Sequence, residues 1–279
     1  MSKFSGQLAV ITGAGSGIGR ALAGRLAADG ATLCLSDIDG RGLAQTHSLI
    51  TALGARVRTD LLDVADRTAV QAYADLLAAK FRAIHLVVNN AGVSHGGEFL
   101  GMSYNDIDRV LNVDFWGVVN GSKAFLPHLI ASGDGTLVNL SSLFGLIPMP
   151  GQSAYVAAKY AVRGFTESVR IEMLAAGHQV NVTCVHPGGV KTGIARNGTV
   201  NAGDDPAGNS DYFDEKLART SADRAAQLIL RGAARGRPRV LIGADARILS
   251  VAGALSNRGF QRSVALVTRA RRRHQLLDS

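Results

Sequence analysis

Tyr155 and Lys159 are four residues apart in this 279-residue chain, and Val162, Phe165 and Val169 continue a helical period beyond them. That spacing places both side chains on one helix face. A tyrosine is a poor acid or base near neutrality, but an adjacent ammonium favours its phenolate. Lowering its pKa from ~10 to ~7 needs roughly 4 kcal/mol of differential stabilisation. Thirteen residues before Tyr155 lies Ser142, just past an apolar run, Leu137–Leu140, that reads as a strand. Its hydroxyl is placed to hold an oxygen at the carboxyl edge of a sheet, where open α/β folds bind ligands. Taken singly, Tyr-x-x-x-Lys is also a common surface pair, and a serine after a strand is commonly a cap or turn residue.

A second set suits anions. The first apolar run ends in Thr12-Gly13-Ala14-Gly15-Ser16-Gly17-Ile18-Gly19 and leads directly into an alanine-rich helical segment. Glycines there let backbone amides approach a phosphate at the positive end of the helix. The spacing differs from G-x-G-x-x-G, because Ile18 stands five residues after Gly13 and Arg20 five after Gly15. Asp37, at the end of the second run, occupies the place where a dinucleotide fold sets an acid against the adenosine ribose hydroxyls. An acid there repels a 2′-phosphate. Neither Ser16 nor Ile38 is basic, so NAD is favoured over NADP, with Arg41 near enough to keep NADP as the alternative. The bland readings are a flexible turn for the glycines, a helix cap for Asp37 and a plain turn for Asn89-Asn90-Ala91-Gly92.

The elements that must carry these residues follow from periodicity. Leu8–Thr12, Thr32–Ser36, Arg56–Leu61, Ile84–Val88, Leu137–Leu140, Val180–Val185 and Val240–Ile242 read as strands. Gly19–Asp29, Arg41–Leu53, Arg67–Lys80, Tyr104–Ala131, Ser153–Ala176 and Ser221–Arg235 read as crossover helices. Such alternation predicts a Rossmann-type, doubly wound α/β fold: a seven-stranded parallel sheet with helices on both faces. A (β/α)₈ barrel would need eight units and has no special use for a glycine cluster after its first strand. Lys191–Tyr212 is polar, glycine-rich and without period, and reads as a long functional loop.

With 47% hydrophobic and 19% charged residues, disorder as the main state is excluded. No apolar stretch reaches the ~18–20 residues of a membrane span, and Leu8–Thr12 is too short for a signal-peptide core, so a cytoplasmic protein is expected. Cys34 and Cys184 lie in apolar runs and read as core thiols. No metal-ligand spacing occurs among the histidines and cysteines, so no metal is expected.

The glycine turn, Asp37, Asn-Asn-Ala-Gly, Ser142 and Tyr-x-x-x-Lys, in this order at strand ends, make the chain resemble the short-chain dehydrogenase/reductase family. The resemblance covers about residues 5–243, and the family's Thr-Gly-x-x-x-Gly-x-Gly pattern fits residues 12–19 without a mismatch. It implies that Gly13, Ser16, Gly17, Ile18 and Gly19 surround a pyrophosphate and that Asp63 and Val64 border the adenine. It further implies that Asn90, Ala91 and Gly92 line the ribose and nicotinamide, and that Pro187, Gly188, Val190 and Thr192 grip the carboxamide. Asn112, in the run Asn112-Val113-Asp114, matches the family's helix asparagine and would hold a water linking Lys159 to solvent.

The implied chemistry is hydride transfer between a secondary alcohol carbon and nicotinamide. Tyr155 would move the proton, Ser142 hold the oxygen and Lys159 bind the ribose and lower the tyrosine pKa, with Asn112 completing a relay. Candidate substrate walls are Val93, His95, Leu143, Phe144, Met149, Ile194, Tyr212 and Phe213, which favour an apolar alcohol or ketone. A lone loop histidine such as His95 reads first as solvated. The alternatives are an NADP-preferring ketone reductase and an NAD-binding regulatory protein without turnover.

Residues 1–243 are expected to form the dinucleotide-binding and catalytic domain. Residues 244–279 form a helical extension, packed on its own body or on a neighbouring subunit of a homo-oligomer, dimer or tetramer. The formal net charge is +8, and the extension ends in Arg269, Arg271, Arg272 and Arg273 before Asp278. A solvated basic end is the plain reading, and a peripheral membrane contact is the alternative. The arginines form one terminal cluster without interleaved aromatics, so no nucleic-acid partner is expected.

Overall fold

The computed structural model describes residues 2–205, 218–246, 248–249 and 257–277, with the helical backbone alone for 257–258 and 270–277. Tyr212, Phe213 and Asp278 of the sequence reading lie outside the described residues. Seven strands form the central sheet: β1 Leu8–Thr12, β2 Thr32–Asp37, β3 Val57–Leu61, β4 Leu86–Asn89, β5 Gly135–Leu140, β6 Val180–Pro187 and β7 Arg239–Ile242. They are ordered β7-β6-β5-β4-β1-β2-β3, and every neighbouring pair is parallel. This is the expected Rossmann-type doubly wound sheet. The order reverses between β1 and β4, which opens a crevice at their carboxyl ends.

The helices that accompany the sheet include α1 Gly17–Ala28, α2 Gly40–Ala52, α3 Arg67–Lys80, α4 Tyr104–Leu111, α5 Gly117–Ala131, α6 Ser153–Ala175, α7 Ala222–Ala234 and α8 Asn257–Leu277. Because strand side chains alternate in direction, β1 sends Ala9 and Ile11 to one face and Leu8 and Val10 to the other. On the first face, Leu22 and Leu26 of α1, Leu43 and Ile50 of α2 and Ile229 of α7 close the core. On the second, Tyr73 and Leu77 of α3, Phe125 and Leu129 of α5 and Val169 of α6 do so. Burial on both faces explains why the central strands read as unbroken apolar runs. Cys34 and Cys184 are buried free thiols within this core.

The single helix expected over Tyr104–Ala131 is interrupted. A π-helical turn, Asn112–Trp116, separates α4 from α5, with the Gly117 amide bonding to the Asn112 carbonyl. One extra residue in a turn rotates everything beyond it around the helix axis, and such turns concentrate at functional sites. The expected loop from Lys191 is pinned in its described part by two short parallel pairings, Thr199–Val200 with His95–Gly96 and Val190–Lys191 with Thr220–Ser221. Beyond β7, Leu249 and Phe260 pack against the cluster of Leu143, Ile147 and Ala246.

Candidate active site

The turn after β1 is built by omission. Gly13 and Gly17 have φ of 64° and 50°, a left-handed conformation that other residues adopt only under strain. A Cβ on Gly13 would stand 2.7 Å from Ala91 Cα, and one on Gly19 would overlap the Gly13 carbonyl oxygen. Ser16 is exposed, and its side chain makes no capping bond to the first turn of α1, which also carries no acid. The amides that start α1 therefore remain available to an anion. Arg20 braces the turn from behind, through the Gly15 carbonyl, the Gly42 carbonyl at 3.1 Å and Thr46 Oγ1 at 2.9 Å.

Asp37 ends β2 beside that turn. Its Oδ2 accepts the Gly15 amide at 2.7 Å and its Oδ1 the Asp39 amide at 2.9 Å, which fixes the carboxylate at the crevice. On the other side Asn90 donates to the carbonyls of Thr12 and Gly13, both at 3.0 Å. Thr12 Oγ1 in turn accepts the amides of Asn90 and Ala91 at 3.0 and 3.1 Å. Asp63 is exposed with Oδ1 taken by the Ala65 amide, whereas Val64 is buried and gives its carbonyl to Asn120. From the far side, Thr192 comes close enough that a Cβ on Gly17 would sit 3.2 Å from its side chain. Pro187 ends β6, the Gly188 amide bonds to the Ile242 carbonyl, and Val190 is buried. Glycine turn, Asp37, Asn90–Gly92 and Thr192 thus surround one crevice, with uncapped amides for a pyrophosphate and a carboxylate for ribose hydroxyls. The donor set fits a dinucleotide.

Ser142, Tyr155 and Lys159 meet at the end of β5. The Ser142 hydroxyl accepts the Phe144 amide at 3.1 Å and lies near enough to Tyr155 to influence its phenol. Lys159 Nζ lies 5.4 Å from the centroid of the Tyr155 ring and donates to the Leu140 carbonyl at 3.2 Å. Phe144 meets the Tyr155 ring edge to face, with centroids 6.2 Å apart. A Cβ on Gly92 would come 3.5 Å from Lys159 Nζ, so the Asn-Asn-Ala-Gly turn abuts this cluster directly.

The sequence reading gives Asn112 the role of holding a water that links Lys159 to solvent. Asn112 is exposed, and the residue that faces Lys159 is Asp114, wholly buried, with Oδ2 at 3.2 Å from Nζ. Asn112 and Asp114 thus lie on different sides of the π turn, one towards solvent and one towards the interior. Burial pushes the Tyr155 phenol above its ordinary range; Lys159 and Ser142 pull it down, and Asp114 pushes it up. Burial also opposes the Lys159 ammonium, but Asp114 and Tyr155 outweigh it and hold that pKa high. Asp114 is raised by burial against the pull of Lys159 and the Val93 amide, which donates to Oδ1 at 2.7 Å.

The expectation for His95 is corrected. It is fully buried, with Nδ1 at 2.7 Å from Thr199 Oγ1 and Nε2 at 3.0 Å from Asn201 Oδ1, and so ties the long loop to the body. His186 went unnoticed in the sequence. It lies buried on β6 with Nδ1 at 2.9 Å from the Ser142 carbonyl, and burial lowers its pKa to about 4, so it backs Ser142 as a neutral ring. Among the described residues no group of histidine, cysteine and acid side chains could hold a metal ion, and no helix is long and apolar enough to cross a membrane.

Residues 7–202 match the family model for short chain dehydrogenases. The chain belongs to the short-chain dehydrogenase family. SadH of Mycobacterium tuberculosis strain H37Rv, a family relative named as an oxidoreductase, is 56% identical over 265 residues, covering 95% of this chain and 96% of SadH. Among solved structures, a short-chain dehydrogenase/reductase from Burkholderia phymatum in complex with NAD superposes with a TM-score of 0.83 at 33% identity, covering 90% of this chain and 93% of that one. An alcohol dehydrogenase from the archaeon Thermococcus sibiricus, complexed with 5-hydroxy-NADP, gives 0.70 at 27% identity over 81% and 89% of the two chains. The chain is an oxidoreductase of this family with a Rossmann fold for NAD(P).

Proposed function

We propose that this short-chain dehydrogenase interconverts an apolar secondary alcohol and its ketone, uses NAD in preference to NADP, and employs Tyr155 as the general acid and base. The observation that carries the chemistry is the convergence of Ser142, Tyr155 and Lys159 on one point of the crevice. Gly13, Ser16, Gly17, Ile18 and Gly19 hold the pyrophosphate, with Asp63 and Val64 beside the adenine. Asn90, Ala91, Gly92, Pro187, Gly188, Val190 and Thr192 hold the nicotinamide half. Asp37 supports the NAD preference, because its carboxylate is fixed where a 2′-phosphate would meet like charge. The Thermococcus neighbour's 5-hydroxy-NADP is the contrary indication.

When bound, the nicotinamide accepts or returns the hydride. The Ser142 hydroxyl orients the substrate oxygen, and Tyr155 Oη takes the hydroxyl proton in oxidation and returns it to the carbonyl oxygen in reduction. Lys159 favours the phenolate and contributes a donor to the ribose. Val93, Leu143, Phe144, Met149 and Ile194 offer an apolar lining, which favours a hydrophobic substrate. The test is turnover of NAD and NADP by the purified protein over a panel of secondary alcohols, with Tyr155→Phe as the blank. NAD-dependent turnover that this variant loses supports the reading. Preference for NADP overturns the role of Asp37, and turnover that survives Tyr155→Phe overturns that of Tyr155.

A further inference from the structure

Lys159 stands between two acidic groups. On one side its Nζ faces the Tyr155 ring at 5.4 Å, and on the other it meets Asp114 Oδ2 at 3.2 Å. Asp114 has no exposed surface and is anchored through Oδ1 by the Val93 amide at 2.7 Å. The π-helical turn carries this carboxylate, and Asp114 is its buried residue. An uncharged asparagine at that place would differ from it by a full charge, in surroundings that screen charge far less than water does.

The remaining charged and titratable neighbours do not cancel this effect. Cys184, from β6, feels Lys159 but is pushed up to about 12 by burial and stays a thiol. His186, behind Ser142, is neutral. Arg109 of α4 is the further cation that Asp114 feels, and its guanidinium is committed to the Ser94 carbonyl at 3.2 Å and to Thr199 Oγ1. Tyr155 therefore faces an ion pair rather than a lone cation.

We propose that Asp114 is a positioning residue that acts through Lys159, holding its ammonium as half of a buried ion pair and so setting the pH at which Tyr155 exchanges its proton. This rests on the reading of Tyr155 as acid and base. With Asp114 in place the phenol keeps its proton to a higher pH than it would beside a lone ammonium. Alcohol oxidation, which needs the phenolate, is then favoured on the alkaline side.

The test is a tyrosinate absorbance titration of the full, cofactor-free chain, wild type against Asp114→Asn, each corrected by its Tyr155→Phe counterpart. The Tyr155 midpoint is expected to fall by about one pH unit in Asp114→Asn, and the acid limb of kcat/KM for alcohol oxidation to move with it. A midpoint that stays or rises overturns the proposal. Should Asp114→Asn not fold, ¹⁵N-lysine NMR of the wild type decides, with the Lys159 resonance assigned by Lys159→Met. An ammonium that persists to pH 10 upholds the ion pair, and deprotonation below that overturns it. Neither titration needs a substrate, so a lowered midpoint in a chain that oxidises no alcohol would sink the proposed function and leave the role of Asp114 standing.

Discussion

Around the tip of β1 the chain leaves side chains out, whereas around the tip of β5 it packs polar side chains in. The glycine turn presents backbone amides at close approach, and a Cβ at Gly13, Gly15 or Gly19 would meet another part of the turn's surroundings within 3 Å. The proposed proton site is made of side chains from separate elements: Ser142 after β5, Tyr155 and Lys159 on α6, Asp114 in the π turn and His186 on β6. A backbone cradle is rigid and carries little charge of its own. A buried side-chain cluster carries charge, and each member's protonation depends on the others.

That difference predicts which perturbations act on chemistry and which on binding or fold. Tyr155→Phe should lower kcat/KM about 10²–10⁴-fold with little change in cofactor affinity, measured by initial rates and by fluorescence titration of NADH. Loss of cofactor binding in that variant would mean the two regions are not separable. Next in size is the pH response of the buried ring on β6. His186 has an ordinary value of 6.5 lowered to about 4 in the fold, so between these limits the unfolded chain binds the extra proton. Its contribution, about 3 kcal/mol at most, is complete above pH 6.5 and drains away as the pH falls through 4. Urea unfolding of wild type and His186→Gln should show a weaker loss of stability on acidification in the variant.

In the cradle, Gly19→Ala should cost about 1–3 kcal/mol in stability by overpacking and weaken NADH binding, without moving the pH profile of turnover. A displaced profile would break the contrast between the regions. The smallest effect belongs to Asp37→Ala, expected to shift the NAD-to-NADP preference about tenfold towards NADP, near 1.4 kcal/mol, while kcat holds. Competition assays with the two cofactors would measure it.

The cradle was the more legible of the two regions. Glycines must fall at fixed offsets between a strand and a helix to do their work, so residues 12–19 announced themselves in one short string. The strands were legible for a related reason. Burial on both faces demands apolar runs, and β1 and α3 begin and end where periodicity placed them. The proton site was legible only where its members share one helix, as Tyr155 and Lys159 do. The contact of Asp114 with Lys159 was not legible, because a regular helix over Tyr104–Ala131 hides the extra residue of the π turn. His95 misled for a comparable reason, since its partners Thr199 and Asn201 lie 104 and 106 residues further on.

By itself the amino-acid sequence determined the alternation of strands and helices, the parallel sheet, the glycine turn and the Tyr-x-x-x-Lys pair, because each rests on local periodicity or on residues close together in the chain. Only the tertiary structure decided which acid faces Lys159, where His95 and His186 lie, and how the long loop is pinned. Those outcomes depend on the rotation of one helical turn and on contacts between distant segments. Burial then turns such small geometric choices into large electrostatic ones, because a charge removed from water is felt across the whole cluster.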